Sequence, residues 1–324
     1  MKKFLYVIYL VVVCILVFFL ADYIEFKILE KKFWQNIINS DLEKPSYFKY
    51  FDNEWFPFSI TSYKKFYEKL CKEFRKDVLL DENAKSSIIV FGCSFAYGDK
   101  LDDKQTFEYK ISKKTNRNVY NRAISACGIQ HMYYLLLHSA FYNNLPKECE
   151  YVFFIYIPNH LQRLNKYVFP SEIDSNGAYL HYDIKKNELV LRKEITQLYK
   201  SFLFKRLMVE IDEKNYATNP NVREKNSELA IKLFVESRKL LQRRYPNMKF
   251  VILKYDIECD VDEQFENSRM WEELKKENFI VIKSEDLIGR KYKYNSEDTN
   301  QDGYHPSEAA WDLLVPKLVE ELNL

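Results

Sequence analysis

The chain has 324 residues, of which 47% are hydrophobic and 30% are charged, with only 6 glycines and 9 prolines. This composition allows a packed core and excludes a disordered chain. The 49 basic and 47 acidic residues nearly cancel and are interspersed, so no phosphate-tracking patch stands out, and nucleic acid is not expected as a partner.

An apolar run follows Met-Lys-Lys at the N-terminus. Residues 4–21 are uncharged, and as a helix they would reach roughly 27 Å, which just spans a bilayer. A cleaved signal peptide is the alternative, but the run exceeds the usual apolar core of about 7 to 15 residues and no clear small-x-small cleavage site follows it. We therefore expect an uncleaved membrane anchor at residues 1–21. Lysines on both sides leave its orientation undecided, and the usual signal-anchor layout favours an extracytoplasmic main domain.

Residues 22–84 form a charged, aromatic lead-in that we interpret as a stalk and packing segment. From 85 to 324, short apolar runs alternate with helical stretches, which is typical of a parallel sheet with crossover helices. The pattern predicts strands at 88–91, 119–123, 151–157, 250–253 and 279–282, and helices near 104–114, 129–142, 222–244, 267–277 and 307–322.

An insert at about 167–220 interrupts this order. It contains a candidate hairpin, 178–183 and 188–192, and a candidate helix near 195–210. We expect the insert to rise from the functional edge of the sheet and to form a wall of the pocket.

A serine follows the first predicted strand of the sheet. Strand 88–91 runs directly into Gly92-Cys93-Ser94-Phe95-Ala96-Tyr97-Gly98. In open parallel sheets, ligands bind outside the carboxyl ends of the strands, so this serine is well placed for chemistry. A serine in this position is often only a turn or cap residue, and Ser94 alone does not decide between the two.

A second motif lies close to the C-terminus. Asp302-Gly303-Tyr304-His305-Pro306-Ser307 precedes an amphipathic helix whose predicted N-cap is Ser307. A carboxylate three residues before a histidine can fix its tautomer and stabilise its protonated form. Taken alone, the pair could also be a turn aspartate beside a surface histidine.

Together with two looser motifs, these sequences resemble the SGNH/GDSL hydrolase family. The first block is similar to Gly92 through Gly98, without the leucine of the family name, and the last is similar to Asp302 and His305. The second block resembles 121–126, where Ala126 replaces the usual glycine and Gly128 follows. The third resembles 157–160, where Asn159 is kept but the glycine and aspartate are replaced. The resemblance covers about residues 86–322.

The resemblance implies a three-layer α/β/α fold of flavodoxin-like type and a serine hydrolase mechanism. It implies Ser94 as the nucleophile, His305 as the general base and Asp302 as its orienting partner. The oxyanion would be held by the N–H groups of Ser94 and of Ala126 or Gly128, and by the side chain of Asn159. No metal or cofactor is implied.

The remaining histidines and cysteines indicate no further site. His160 follows Asn159, and we expect it to be a solvent-exposed loop residue; Cys93 is expected to be buried. The six cysteines contain no Cys-x-x-Cys pair and no zinc-like spacing with histidine, so neither a metal site nor a disulfide framework is predicted.

The expected substrate is an ester, namely an acylated small molecule or an O-acyl group of an envelope glycan or lipid. The ester follows from the resemblance, and the glycan or lipid follows only from the expected anchor. Acyl transfer to a sugar hydroxyl would use the same residues and stays open as an alternative. A catalytically silent envelope scaffold is the alternative from another class, because the second and third blocks are altered.

Overall fold

The computed structural model describes residues 71, 74–79, 84, 86–125, 127–164, 178–183, 188–193, 219–258 and 268–324. The expected anchor at 1–21, most of the lead-in, Ala126 and the candidate helix near 195–210 lie outside these residues. No helix within the described part is long and apolar enough to cross a membrane.

The described strands form a five-stranded parallel sheet and a separate antiparallel hairpin. In spatial order the sheet strands are Asn118–Asn121 (β2), Ser87–Gly92 (β1), Tyr151–Tyr156 (β3), Lys249–Lys254 (β6) and Ile280–Lys283 (β7). The hairpin pairs Ala178–Asp183 (β4) with Glu188–Lys193 (β5). Without the hairpin strands this is the 2-1-3-4-5 order of flavodoxin-like folds, so the predicted α/β fold of the main domain is confirmed, whereas the predicted N-terminal transmembrane helix lies outside the described residues.

The five helices predicted within the described residues are found with shifted ends, together with three short ones. The helix expected at 129–142 ends at Leu137 and is followed by a 3-10 turn, Ser139–Asn144. The helices are α1 (Ser94–Tyr97), α2 (Phe107–Thr115), α3 (Ile129–Leu137), α4 (Asn159–Gln162), α5 (Pro220–Gln242), α6 (Ser268–Lys276), α7 (Ser284–Ile288) and α8 (Glu308–Leu322), and a further 3-10 turn, Asp103–Gln105, precedes α2.

The core lies on both faces of the sheet, because successive strand residues point to opposite sides. Ile89 and Phe91 of β1 pack in the cluster that includes helices α3, α5 and α6. Ile88 and Val90 pack in the other cluster, which includes helices α2 and α8. Strands buried on both faces read as continuous apolar runs, and this explains why SIIVFG and YVFFIY could be recognised in the sequence.

The end of the lead-in packs against β2, an edge strand of the sheet. Val78 forms an antiparallel bridge with Val119 of β2, and the two residues exchange N–H···O bonds of 2.9 and 2.8 Å. Next to this bridge, Asp77 pairs with Arg122, with 2.5 Å between Oδ1 and the nearer guanidinium nitrogen. This contact covers part of an edge strand that would otherwise expose unpaired backbone groups.

Candidate active site

The turn that carries Ser94 is built by a close approach of strand and helix. Ser94 is the first residue of α1, directly after β1, and is only 7% exposed. Gly92 has φ +152°, and a Cβ there would lie 2.6 Å from Ala96 Cβ and 3.0 Å from the Ile155 carbonyl oxygen. A side chain at position 92 would therefore push the helix off the sheet. Cys93 is fully buried, as predicted.

The other end of this turn is fixed by Gly98 and by an arginine of the lead-in. Gly98 ends α1 in the left-handed region, with φ +77°, and its N–H donates to the Ser94 carbonyl at 2.9 Å. Arg75 donates to the carbonyls of Tyr97 and Gly98 at 3.2 and 2.7 Å. These hydrogen bonds at one end, and the close packing of Gly92 at the other, hold the nucleophile turn.

The Asp-x-x-His motif forms a compact turn ahead of α8. Oδ1 of Asp302 accepts the backbone N–H groups of Tyr304 and His305 at 2.8 and 2.9 Å, and Oδ2 lies 2.7 Å from His305 Nδ1. Gly303 has φ +70° and permits the reversal. A carboxylate only accepts, so Nδ1 carries the proton and Nε2 is left as the acceptor that a general base requires. Ser307 caps α8 as predicted, accepting the Ala310 N–H at 3.1 Å.

Asp302 remains charged near neutral pH. Its partial burial alone would raise the pKa, but hydrogen bonds from the His305 backbone and ring and from the Tyr304 backbone outweigh this effect. The pKa of Asp302 is therefore lowered below its usual value. The carboxylate is available to orient the imidazole and to stabilise its protonated form.

The two motifs meet through the residue next to the serine. The ring centroid of Phe95 lies 5.4 Å from that of His305 and 5.3 Å from that of Tyr304. The His305 ring therefore lies beside the nucleophile turn. No hydrogen bond joins Ser94 Oγ to His305 among the described residues, and bonds of this kind often tighten only when a substrate is bound.

Of the expected oxyanion residues, Asn159 follows a strand next to that of Ser94, whereas the Gly128 N–H is used within the protein. Asn159 is the first residue of α4, just after β3, and β3 pairs with β1 so that Ile155 is opposite Gly92. Asn159 and Ser94 therefore follow the carboxyl ends of neighbouring strands. The N–H of Gly128 already donates to His131 Nδ1 at 3.1 Å, so this amide has an acceptor inside the protein. Ala126 lies outside the described residues.

The prediction that His160 is exposed is wrong. Its ring is fully buried, 5.2 Å from the Phe154 ring and 5.5 Å from the Tyr156 ring, measured between centroids. Nδ1 accepts the Ile157 N–H at 3.3 Å. Burial, and then the charges of Arg163 and His131, lower the pKa of His160 well below its usual value. The ring is thus a neutral packing group that fixes the turn between β3 and Asn159.

Two side chains connect the loops that follow β2 and β3. Arg163, just after α4, donates to the Cys127 carbonyl at 2.7 Å, and Gln130 Nε2 donates to the Arg163 carbonyl at 2.8 Å. From helix α5, Asn226 donates to the Leu161 carbonyl at 2.9 Å. Contacts from the loop after β2 and from α5 therefore hold helix α4, and with it Asn159.

The described residues contain no cluster of three or more histidine, cysteine, aspartate or glutamate side chains that could hold a metal ion. The residues gathered at the carboxyl edge are a hydroxyl, an imidazole with its carboxylate, and an amide. Such a set can activate a serine for attack on a carbonyl carbon and stabilise the resulting oxyanion.

Neither the scan of family models nor the search of curated proteins finds a match. Among solved structures the chain is similar to TesA, with 13% identity and a TM-score of 0.43 over 73% of this chain and 97% of that chain. It is also similar to a lipolytic protein of the G-D-S-L family from Veillonella parvula DSM 2008, with 14% identity and a TM-score of 0.41 over 73% of this chain and 98% of that chain.

A third similar structure is a family two carbohydrate esterase from Clostridium thermocellum in complex with cellohexaose. The identity is 9% and the TM-score 0.43, over 76% of this chain and 66% of that chain. At such low identities, the function has to be argued from the side chains of this chain's own site.

Proposed function

We propose that this chain is a serine hydrolase of the SGNH type that cleaves an ester. Ser94 is the nucleophile, His305 the general base and then acid, and Asp302 its orienting partner. The single observation that carries the proposal is the 2.7 Å contact between Asp302 Oδ2 and His305 Nδ1, in a turn packed on Phe95 next to the serine. A histidine whose Nδ1 is held by a carboxylate, with its ring beside the turn of a buried serine, has the arrangement that a general base requires.

The reaction takes two steps. In the first, Ser94 Oγ bonds to the acyl carbon while its proton passes to His305 Nε2. The tetrahedral intermediate then collapses, the ester C–O bond breaks, and His305 returns the proton to the leaving alcohol. In the second step water attacks the acyl-enzyme by the same route. The negative charge on the oxyanion is met by the Ser94 N–H and the Asn159 amide in both steps.

A serine-directed fluorophosphonate tests the nucleophile directly. Full-length protein in detergent should take up about one label per chain, because the reagent traps an activated serine as a stable adduct. Ser94→Ala should not be labelled, whereas Ser139→Ala, which changes a serine remote from the turn, should be labelled like the wild type. Absence of labelling in a folded sample whose site the reagent can enter would favour a silent scaffold.

We further propose that residues 1–21 anchor the protein in a membrane, with the domain extracytoplasmic and an O-acyl group of an envelope glycan or lipid as substrate. The support is the uncharged run at 4–21, since a domain held at a membrane meets substrates that are also held there.

Removing residues 1–21 should move the protein from the membrane fraction to the soluble fraction, because the loss of about 18 apolar residues removes the hydrophobic segment. The full-length chain should resist extraction by high salt or carbonate and require detergent. Its intact mass should include residues 1–21, whereas a mass that lacks them would indicate a cleaved signal peptide. Continued membrane association of the shortened chain would mean that another surface binds the membrane.

A further inference from the structure

Asn300, two residues before Asp302, uses all four of its polar groups. Within the turn, its N–H donates to the His305 carbonyl at 2.8 Å and its carbonyl accepts the Gly303 N–H at 2.9 Å. Its side-chain Oδ1 accepts the Asp302 N–H at 3.0 Å. Three of the four groups therefore shape the turn that carries the acid and the base.

The fourth group reaches the nucleophile loop. Asn300 Nδ2 donates to the Asp99 carbonyl at 3.0 Å, across 201 positions of sequence. The N–H of Asp99 in turn donates to the Ser94 carbonyl at 3.1 Å. Asp99 therefore connects Ser94 with the turn of Asp302 and His305 through two hydrogen bonds, one from its N–H and one to its carbonyl.

Asp99 also holds the loop that follows β2. Its Oδ1 accepts the Ser125 hydroxyl at 2.5 Å, and Ser125 precedes Ala126, the expected second oxyanion donor. The loops after β1 and β2 and the turn before α8 all meet at this one residue.

We propose that Asn300 is a positioning residue that sets where the His305 ring lies relative to Ser94 Oγ. The inference rests on the proposed hydrolysis. Ser94 and His305 are not hydrogen-bonded to each other, so their separation depends on how the turn is held to the nucleophile loop. The ring contact with Phe95 is weakly directional, whereas the bond from Asn300 Nδ2 fixes both distance and direction.

Two substitutions separate the functions of this side chain. Asn300→Asp keeps an oxygen that accepts the Asp302 N–H but replaces the donor to Asp99 with a second oxygen. Asn300→Ala removes both bonds. Asn278→Asp is the matched control, because it adds the same charge at an exposed position just before β7, at the amino edge of the sheet, and breaks no bond to Asp99.

The readouts are kcat and KM for p-nitrophenyl acetate, together with the rate and final stoichiometry of fluorophosphonate labelling. A displacement near 1 Å costs roughly 100-fold, so we expect both Asn300 variants to lower kcat by about 10- to 100-fold. KM should change little, the labelling rate should fall in parallel with kcat, and the final stoichiometry should stay near one per chain. Asn278→Asp should stay within about twofold of the wild type.

The outcomes separate this inference from the function that it assumes. Wild-type kcat in Asn300→Asp, with a loss only in Asn300→Ala, would overturn the positioning role through Asp99 and leave the hydrolase intact. A lower labelling stoichiometry at an unchanged rate per site would show a folding defect and would also overturn it. Wild-type protein without Ser94-dependent turnover or labelling would refute the hydrolase, and the positioning role with it.

Discussion

Replacing His305 with alanine should lower kcat for an activated ester by about a millionfold, as much as removing Ser94 itself. A serine hydroxyl is almost entirely protonated at neutral pH, so attack needs a base within reach at the moment the bond forms. Asp302 cannot take that role, since its carboxylate is bonded to the histidine and the turn backbone rather than directed at Ser94. The measurement is kcat with p-nitrophenyl acetate, at enzyme concentrations high enough to detect the residual rate.

His138→Ala is the matched control for this experiment. His138 lies just beyond the C-terminal end of α3, with its ring 4.6 Å from that of Tyr134 between centroids, and it should keep wild-type turnover. In the wild type, the Asp302 carboxylate stays ionised near neutral pH, because the hydrogen bonds that outweigh its burial keep its pKa below the usual value. A His305→Ala variant with near wild-type turnover would remove the proposed base.

The parts of the site that could be predicted from sequence are those made by local chemistry. Gly92 and Gly98 bracket a serine directly after an apolar run, and Asp302 and His305 are close enough in sequence to be joined by one turn. Each feature depends only on residues that are close in sequence. The features are a residue with positive φ, a side chain that accepts nearby N–H groups, and a strand buried on both faces. Placing the two motifs together then follows from the parallel sheet, whose carboxyl ends share one edge.

The residues that sequence reasoning missed act over long separations. Arg75 contacts the carbonyls of Tyr97 and Gly98, and Asn300 reaches Asp99 across 201 positions. No periodicity encodes such contacts. The only local signal was the spacing Asn300-x-Asp302, which is typical of an Asx turn and could have placed Asn300 in the motif.

His160 shows a different limit of prediction. Its position after a strand suggested an exposed loop, but the four-residue helix α4 turns its ring inward, against Phe154 and Tyr156. A helix this short shows no detectable 3.6-residue repeat. The same applies to α1, which carries Ser94 and was expected only as a turn.

Replacing Asn159 with alanine should lower kcat by about 100- to 1000-fold if its amide donates to the oxyanion. The substitution leaves the backbone of α4 in place, because the Asn159 carbonyl, not its side chain, accepts the Arg163 N–H at 3.0 Å. An amide donor gains strength when negative charge develops on the carbonyl oxygen, so the loss should appear in kcat with little change in KM. The measurement is steady-state hydrolysis of p-nitrophenyl acetate and butyrate.

Gln162→Ala is the control, because it removes an amide of similar size from the other end of the same four-residue helix. It should stay within about threefold of the wild type, since Arg163 and Asn226 still hold the helix. Equal losses in both variants would mean that Asn159 supports the helix rather than the oxyanion. A wild-type rate in Asn159→Ala would mean that backbone N–H groups alone stabilise the oxyanion. The second donor, besides the Ser94 N–H, would then come from the loop of Ser125 and Cys127, which flanks Ala126.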